Sequence, residues 1–269
     1  MNNIELAKQA VKITSARCYD LDGNTVQLPP VDFDYAEVYS PDDGAELLKE
    51  DISELFGDKL CRISVTNKDS FQAAAAFDYP LVMNFANAHV AGGGFKLGAN
   101  AQEEALCRCS TLYASISSSK AAEMYRYNNT HLSAVESDYM LLSPEVCVFR
   151  DTESGLLKEP FRAAVITVPA PNKRGAAMLA GEKKIAAAMT RRIRIMLRIA
   201  AKNKFRSLVL GAWGCGAFGN QPENVAQYFK TVIIGEEYGK CFDEICFAIY
   251  GVPDGMNITA FTDVFDNRN

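Results

Sequence analysis

Two stretches of this chain put glycine beside groups that can do chemistry. The first runs Asn84-Phe85-Ala86-Asn87-Ala88-His89-Val90-Ala91-Gly92-Gly93-Gly94-Phe95 and, after the spacer Phe95–Ala101, reaches Gln102-Glu103-Glu104. Consecutive glycines take φ values closed to other residues and let a backbone approach a ligand closely. Adjacent residues on a helix diverge by about 100°, so one carboxylate can cap the helix or grip a hydroxyl while the other faces a ligand. A carboxyl that protonates a leaving oxygen and then activates water is the equipment of glycosidic cleavage. A helix N-terminus favours the ionised form and burial opposes it. An acid role for Glu104 therefore requires that it be substantially desolvated. A structural role competes for Glu103: with Asn100 as N-cap, Glu103 stands at the third helical position and completes a capping box.

The second stretch is Gly211-Ala212-Trp213-Gly214-Cys215-Gly216-Ala217-Phe218-Gly219-Asn220-Gln221, entering a helix at Pro222. Proline suits the first helical turn. Backbone N–H groups of such a loop, with the helix dipole behind them, can hold a pyrophosphate. The GxGxxG spacing alone also fits a dinucleotide fold, but that fold wants it after the first strand, with an acidic residue about 20 positions on. Here it lies late in the chain, and Glu236 and Glu237 fall in helix or turn context, so a nicotinamide-dependent dehydrogenase is disfavoured. Phe218, set among glycines, has little regular structure to pack within and is placed to stack on a ribose or base rather than to fill the core.

The elements that must carry these loops alternate. Asn2–Ala16 and Asp42–Phe56 read as helices, the second closed by Gly57–Asp58, with a polar connection over Asp20–Pro30 and a short strand at Ala36–Tyr39. From there Cys61–Val65, Leu81–Phe85, Ala163–Val168, Ser207–Ala212 and Ile245–Tyr250 read as strands. Tyr139–Leu142 and Val146–Phe149 read as a strand pair divided at Ser143–Pro144. The helices are Ser70–Phe77, Ala101–Ser118, Ala121–Leu132, Gly181–Lys202 and Pro222–Ile234, with a further helical segment after Asn257. Apolar strands indicate a sheet covered on both faces, and alternation with helices gives a three-layer α/β/α sandwich. Both glycine-rich loops follow strands directly, at the carboxyl edge where such sheets bind ligands. The whole of 1–269 is expected to form one catalytic domain, with 1–58 as an N-terminal helical extension and 59–269 as the α/β core.

The chain has 269 residues, a formal net charge of -5 and 48% hydrophobic residues. The acidic balance argues against groove binding of DNA, which rests on neutralising many phosphates. It leaves room for one anionic ligand held by backbone amides. No apolar run spans a bilayer and the N-terminal residues show no signal core, so membrane association is not expected and the eight cysteines read as reduced thiols in a cytoplasmic protein. Cys107 and Cys109 point to different faces of a helix, and His89 and His131 are the two histidines, so no metal site is expected. The basic residues Lys183, Lys184, Arg191, Arg192, Arg194 and Arg198 read as a solvated helix face, with polymer docking as the sharper alternative.

Together the two loops resemble the bacterial-type poly(ADP-ribose) glycohydrolases, a macrodomain family. The similarity is carried by GGG (Gly92–Gly94), a spacer and QEE (Gln102–Glu104), by NFANAHVAGGGF, by VPAPN (Val168–Asn172) and by LVLGAWGCGAFGN (Leu208–Asn220). It runs from about Cys61 through Val225. The resemblance implies a macrodomain with a mixed central sheet and ADP-ribose lying across the strand edges. It implies a diphosphate held by Gly92, Gly93 and Gly94 and by Gly214, Cys215, Gly216, Ala217, Phe218 and Gly219, with Phe95 also among the binding residues and Phe218 packed against the ligand. Asn87 would contact the distal ribose, Glu103 would bind ribose hydroxyls, and Gln102 would hold that constellation. Glu104 would protonate the leaving 2′-oxygen of the ribose–ribose bond and then activate water. No metal or redox cofactor is implied. Thr66 and Asn67 are candidates near the adenine. The partner would be ADP-ribose or poly(ADP-ribose) on modified proteins. Two other activities share the same pocket: hydrolysis of mono-ADP-ribosyl adducts and ADP-ribose binding without turnover. A nucleotide-binding α/β domain of unrelated chemistry is the bland alternative.

Overall fold

A computed structural model describes residues 1–57, 60–153 and 155–266. The chain opens with helix α1 (Asn3–Ala16), a hairpin of β1 (Cys18–Leu21) and β2 (Asn24–Gln27), strand β3 (Glu37–Tyr39) and helix α2 (Pro41–Leu47). Then come β4 (Arg62–Thr66), α3 (Ser70–Ala74), β5 (Leu81–Ala86), α4 (Gln102–Cys109), α5 (Leu112–Ile116), α6 (Ala122–Thr130), β6 (Met140–Asp151) and β7 (Gly155–Pro169). Helix α7 (Glu182–Lys202), β8 (Ser207–Leu210), α8 (Pro222–Lys230), β9 (Glu244–Ala248) and α9 (Met256–Phe265) complete the order.

Among the described residues the main sheet has seven strands in the order β3-β6-β7-β5-β8-β9-β4. The pairs from β7 through β4 are parallel and the two at the β3 edge are antiparallel, so the sheet is mixed. Successive strand residues face opposite layers. Leu81 and Met83 of β5, Ile166 and Val168 of β7, and Leu208 and Leu210 of β8 enter one core with Ile185, Met189, Ile193 and Met196 of α7. Val82, Val165 and Val209 enter the other, with Ala7, Ala10 and Ile13 of α1, Leu106 of α4 and Met124 of α6. Helices thus cover both faces, which is why the central strands are apolar on both sides.

The first 57 residues are knitted into this body. β3 adds the edge strand through β6, Gly44 of α2 abuts Ile195 of α7, and Asn3 Nδ2 of α1 donates to Gly98 O at 3.1 Å. Several sequence expectations change in detail. The connection predicted over 20–30 contains the β1–β2 hairpin. Its turn, Asp22-Gly23, takes φ of 54° and 80°, the geometry that Asp-Gly favours between twisted strands. The predicted strand pair 139–142 and 146–149 is one strand, β6, with a register shift between Ser143 and Val146. The bulge accommodates Pro144, which has no N–H for a ladder.

The helix predicted over 101–118 breaks at Ser110, which turns extended and bridges to Val148, while Cys147 N donates to Thr111 Oγ1 at 3.0 Å. The helix predicted over 42–56 stops at Leu47, where the buried Arg198 guanidinium takes the Leu47 and Glu50 carbonyls at 2.7 Å each. Asp58 lies outside the described residues.

Candidate active site

The two glycine-rich loops follow the neighbouring parallel strands β5 and β8 and emerge side by side at the carboxyl edge. In the first, Asn87 Oδ1 accepts the His89 and Val90 N–H groups at 2.8 and 3.0 Å, an Asx turn that starts the loop. Gly92 and Gly93 then take φ of +71° and +54°, which costs glycine nothing. A Cβ on Gly93 would stand 2.5 Å from Glu104 Oε1 and one on Gly94 would stand 2.6 Å from the Ala99 Cβ. The glycine triplet is therefore required by the carboxylate and spacer folded against it as well as by backbone angle.

Glu104 Oε1 accepts the Gly94 N–H at 2.9 Å and Oε2 accepts the Ala101 N–H at 3.0 Å. The capping assignment is thus corrected. Ala101 is the N-cap and Glu104, at the third helical position, reaches back to it. Asn100 instead takes the Arg108 guanidinium on its Oδ1 at 2.5 Å. The helix starts one residue later than an Asn100 cap requires, which turns Glu103 away from the cap and inward.

Glu103 Oε2 accepts the Asn87 N–H at 2.9 Å and Oε1 accepts the Asn84 Nδ2 at 3.2 Å. Burial pushes its carboxyl up to about 8. The Asn87 N–H and the Asn84 amide pull the other way, and the neighbouring Glu104 charge adds to the rise. Glu103 and Glu104 are 3% and 7% exposed, so both carboxyls of the pair are desolvated. Gln102 fastens the helix start to β5: its Oε1 accepts the Phe85 N–H at 2.9 Å, and its Nε2 donates to Met83 O at 2.8 Å and Ser70 Oγ at 3.0 Å.

The second loop is built differently. Trp213 is fully buried, and its Nε1 donates to Val168 O at 3.0 Å. Gly214 and Gly219 take φ of +74° and +71°. Asn220 Nδ2 ties Gly214 O and Pro171 O at 3.2 and 2.9 Å. The turn's own hydrogen bonds use the N–H groups of Trp213, Cys215, Gly219 and Asn220. Among the described residues those of Gly216, Ala217 and Phe218 take no part in it, and Gly216 and Ala217 are exposed. Phe218 is half-buried against the edge of the core. Cys215 Sγ leans on Trp213 O at 3.7 Å, and burial pushes its thiol up to about 12.

Most predicted site residues are thus gathered around one edge, with exceptions. Phe95 is 1% exposed, its ring lies 4.9 Å from that of Tyr113, and its N–H is spent on Gly92 O at 3.0 Å. It is a core wedge under the loop rather than a ligand contact, because the short turn over Phe95–Leu97 rolls the ring inward. Asn67 is committed at both ends of its amide to Gly251, at 3.0 and 3.1 Å. Glu236 pairs with Arg194 and Glu237 with Lys240.

Nor is the basic stripe of α7 solvated throughout: Lys183 and Lys184 are exposed, but Arg192 and Arg198 are buried. Arg192 is 1% exposed and tied to Asp138, and Arg191 shares that carboxylate. Sequence reasoning left Asn84 and Thr167 without a role. Both are fully buried, and Asn84 Nδ2 also donates to Thr167 Oγ1 at 3.2 Å. Their signal was a polar residue inside an otherwise apolar strand.

A family model of the microbial-type PARG catalytic domain matches residues 7–151, which carry the first loop and both glutamates. The poly(ADP-ribose) glycohydrolase of Thermomonospora curvata superposes with a TM-score of 0.88 at 34% identity, covering 98% of this chain and 99% of that one. The chain belongs to the microbial-type PARG family. The same enzyme bound to the inhibitor ADP-HPD matches with a TM-score of 0.85 at 33% identity, over 98% and 99% of the two chains. The PARG of Deinococcus radiodurans in complex with ADP-ribose matches with a TM-score of 0.81 at 33% identity, over 90% and 98%. No match is found among curated proteins. The second loop lies beyond the matched 7–151, but these PARG structures cover nearly the whole chain, so both loops belong to the shared architecture.

Proposed function

We propose that this chain hydrolyses the ribose–ribose O-glycosidic bond of poly(ADP-ribose), releasing ADP-ribose, with Glu104 as the carboxyl that acts on the leaving oxygen. One observation carries the reading. Glu104 is fixed at the start of α4 by the Gly94 and Ala101 N–H groups, and Gly93 keeps the space beside its Oε1 clear of any side chain.

Glu104 protonates the 2′-oxygen that leaves, and the carboxylate it becomes draws a proton from the attacking water. Glu103, held by Asn84 and Asn87 and retaining a proton at neutral pH, engages the ribose hydroxyls beside it. The unspent amides of Gly216, Ala217 and Phe218 receive the diphosphate, an arrangement suited to an anion in an acidic chain, whereas the Gly93 and Gly94 N–H groups, expected to share that role, are taken by Val90 O and Glu104 Oε1. Phe218 packs on the ligand beside them. Asn87 meets the distal ribose through the part of its amide not spent on the turn. The fold is of the macrodomain type.

The substrate is polymer attached to modified protein. The acidic chain, with Arg192 and Arg198 of α7 buried, does not favour groove binding of DNA. The setting is cytoplasmic, the compartment in which eight thiols stay reduced.

Release of free ADP-ribose from an auto-poly-ADP-ribosylated protein tests the reading. Turnover by the wild-type chain is expected. Binding of ADP-ribose without release from polymer or from mono-modified protein would replace the enzyme with a binding module.

A further inference from the structure

The segment between β7 and α7 crosses the second glycine loop and brings one cation with it. Lys173 N donates to Phe218 O at 2.9 Å, stapling the two loops together. The next residue, Arg174, is fixed by its own N–H to Asn172 Oδ1 at 3.1 Å. Its side chain then lies along Gly219: a Cβ there would stand 3.0 Å from Arg174 Nε and 3.2 Å from its Cγ. Gly219 has φ of +71°, so it is glycine for its angle, and the arginine stem passes close to where a side chain would begin.

The charge on Arg174 is unclaimed. Glu182, the acidic residue nearest in this segment, is paired with Lys173. Among the described residues the Arg174 guanidinium forms no ion pair, and the residue is exposed. An exposed arginine is ordinary by itself. This one is laid against the residue that follows Gly216, Ala217 and Phe218, whose amides the turn leaves unspent. Those amides carry no formal charge, and the chain as a whole is acidic. A dianionic group brought to them would meet the unpaired positive charge of Arg174, on a planar fork matched to phosphate oxygens.

From this we infer that Arg174 is a binding residue for the diphosphate of the substrate, supplying side-chain charge to a site otherwise made of backbone N–H groups. The inference rests on the proposed ADP-ribose reading of the loops. It adds a residue outside both glycine-rich motifs, brought in by a crossing segment.

The test is calorimetry of ADP-ribose with wild type, Arg174→Met and Arg174→Lys at low and at high salt. Methionine keeps an apolar stem on Gly219 and removes the charge, whereas lysine keeps the charge without the fork. Arg174→Met is expected to bind about tenfold more weakly at low salt, the loss of one charge-assisted contact. Arg174→Lys should recover part of that loss, and the gap between wild type and Arg174→Met should narrow as salt screens the pair. In turnover, KM should rise in Arg174→Met while kcat stays near wild type. Equal affinity of Arg174→Met and wild type would overturn the inference. So would an equal, salt-independent loss in both variants, which would mark a packing role on Gly219. A wild-type chain that binds no ADP-ribose would instead remove the proposed function, and this inference with it.

Discussion

A Cβ on Gly93 would lie 2.5 Å from Oε1 of Glu104 and 3.3 Å from Oε2 of Glu103. The middle glycine of the triplet is thus the contact surface of the carboxylate pair, and its φ of +54° lies where other residues are strained. Gly93→Ala should cost about 1–2 kcal/mol in backbone strain and, by displacing Glu104, about 100-fold in kcat. Thermal unfolding and steady-state kinetics on the same sample separate the two. A variant that lost stability but kept its turnover would show that Glu104 need not stay where the loop holds it.

Glu104→Gln keeps the size of the side chain and removes its proton chemistry. Hydrolysis of poly(ADP-ribose) should fall by at least about 100-fold, while ADP-ribose binding survives. A modest fall in stability accompanies it. Two backbone N–H groups face the two carboxylate oxygens, and an amide can accept only one of them well. Full activity in this variant would move the acid role elsewhere.

Glu103 makes stability depend on pH. Burial raises its carboxyl from an ordinary 4.5 to about 8. Between those values the folded chain holds a proton that the unfolded chain has released. The stabilisation linked to this group is therefore fully present below pH 4.5 and is lost as the pH rises through about 8. Glu103→Gln cannot ionise, so its Tm relative to wild type should climb across that window. Parallel Tm curves for the two proteins would contradict a protonated Glu103.

Gln102 does mechanical work at the same helix start. Gln102→Ala leaves the Phe85 N–H and the Met83 carbonyl without their partner at the end of β5. With about 1–3 kcal/mol for each buried group left unsatisfied, urea unfolding should show a loss of about 2–4 kcal/mol. Turnover should fall as well, because the glutamates ride on the helix that Gln102 pins. A loss confined to activity would point to direct contact with the substrate.

Local pattern and glycine chemistry were enough for much of this protein. Apolar runs such as Leu81–Met83 and Leu208–Leu210 marked strands buried on both faces. The two glycine-rich stretches stand at adjacent strand ends, where the alternation of strands and helices placed them. These features were legible because period, capping and φ preference act within a few residues.

The remainder depended on partners far apart in sequence. Whether Glu103 or Glu104 caps α4 was decided by the Asn84 and Asn87 groups that draw Glu103 inward. The helix break at Ser110 was decided by pairing with Val148 of β6. Arg192 and Arg198 of α7, read by sequence as part of a solvated stripe, turn inward because Asp138 and the carbonyls of Leu47 and Glu50 meet them there. Arg174 reaches Gly219 only because the segment after β7 folds across the loop after β8. A side chain's electrostatic partner is chosen by distance in space, so the sequence determined the strands, helices and glycine turns, and tertiary packing alone decided which charges meet.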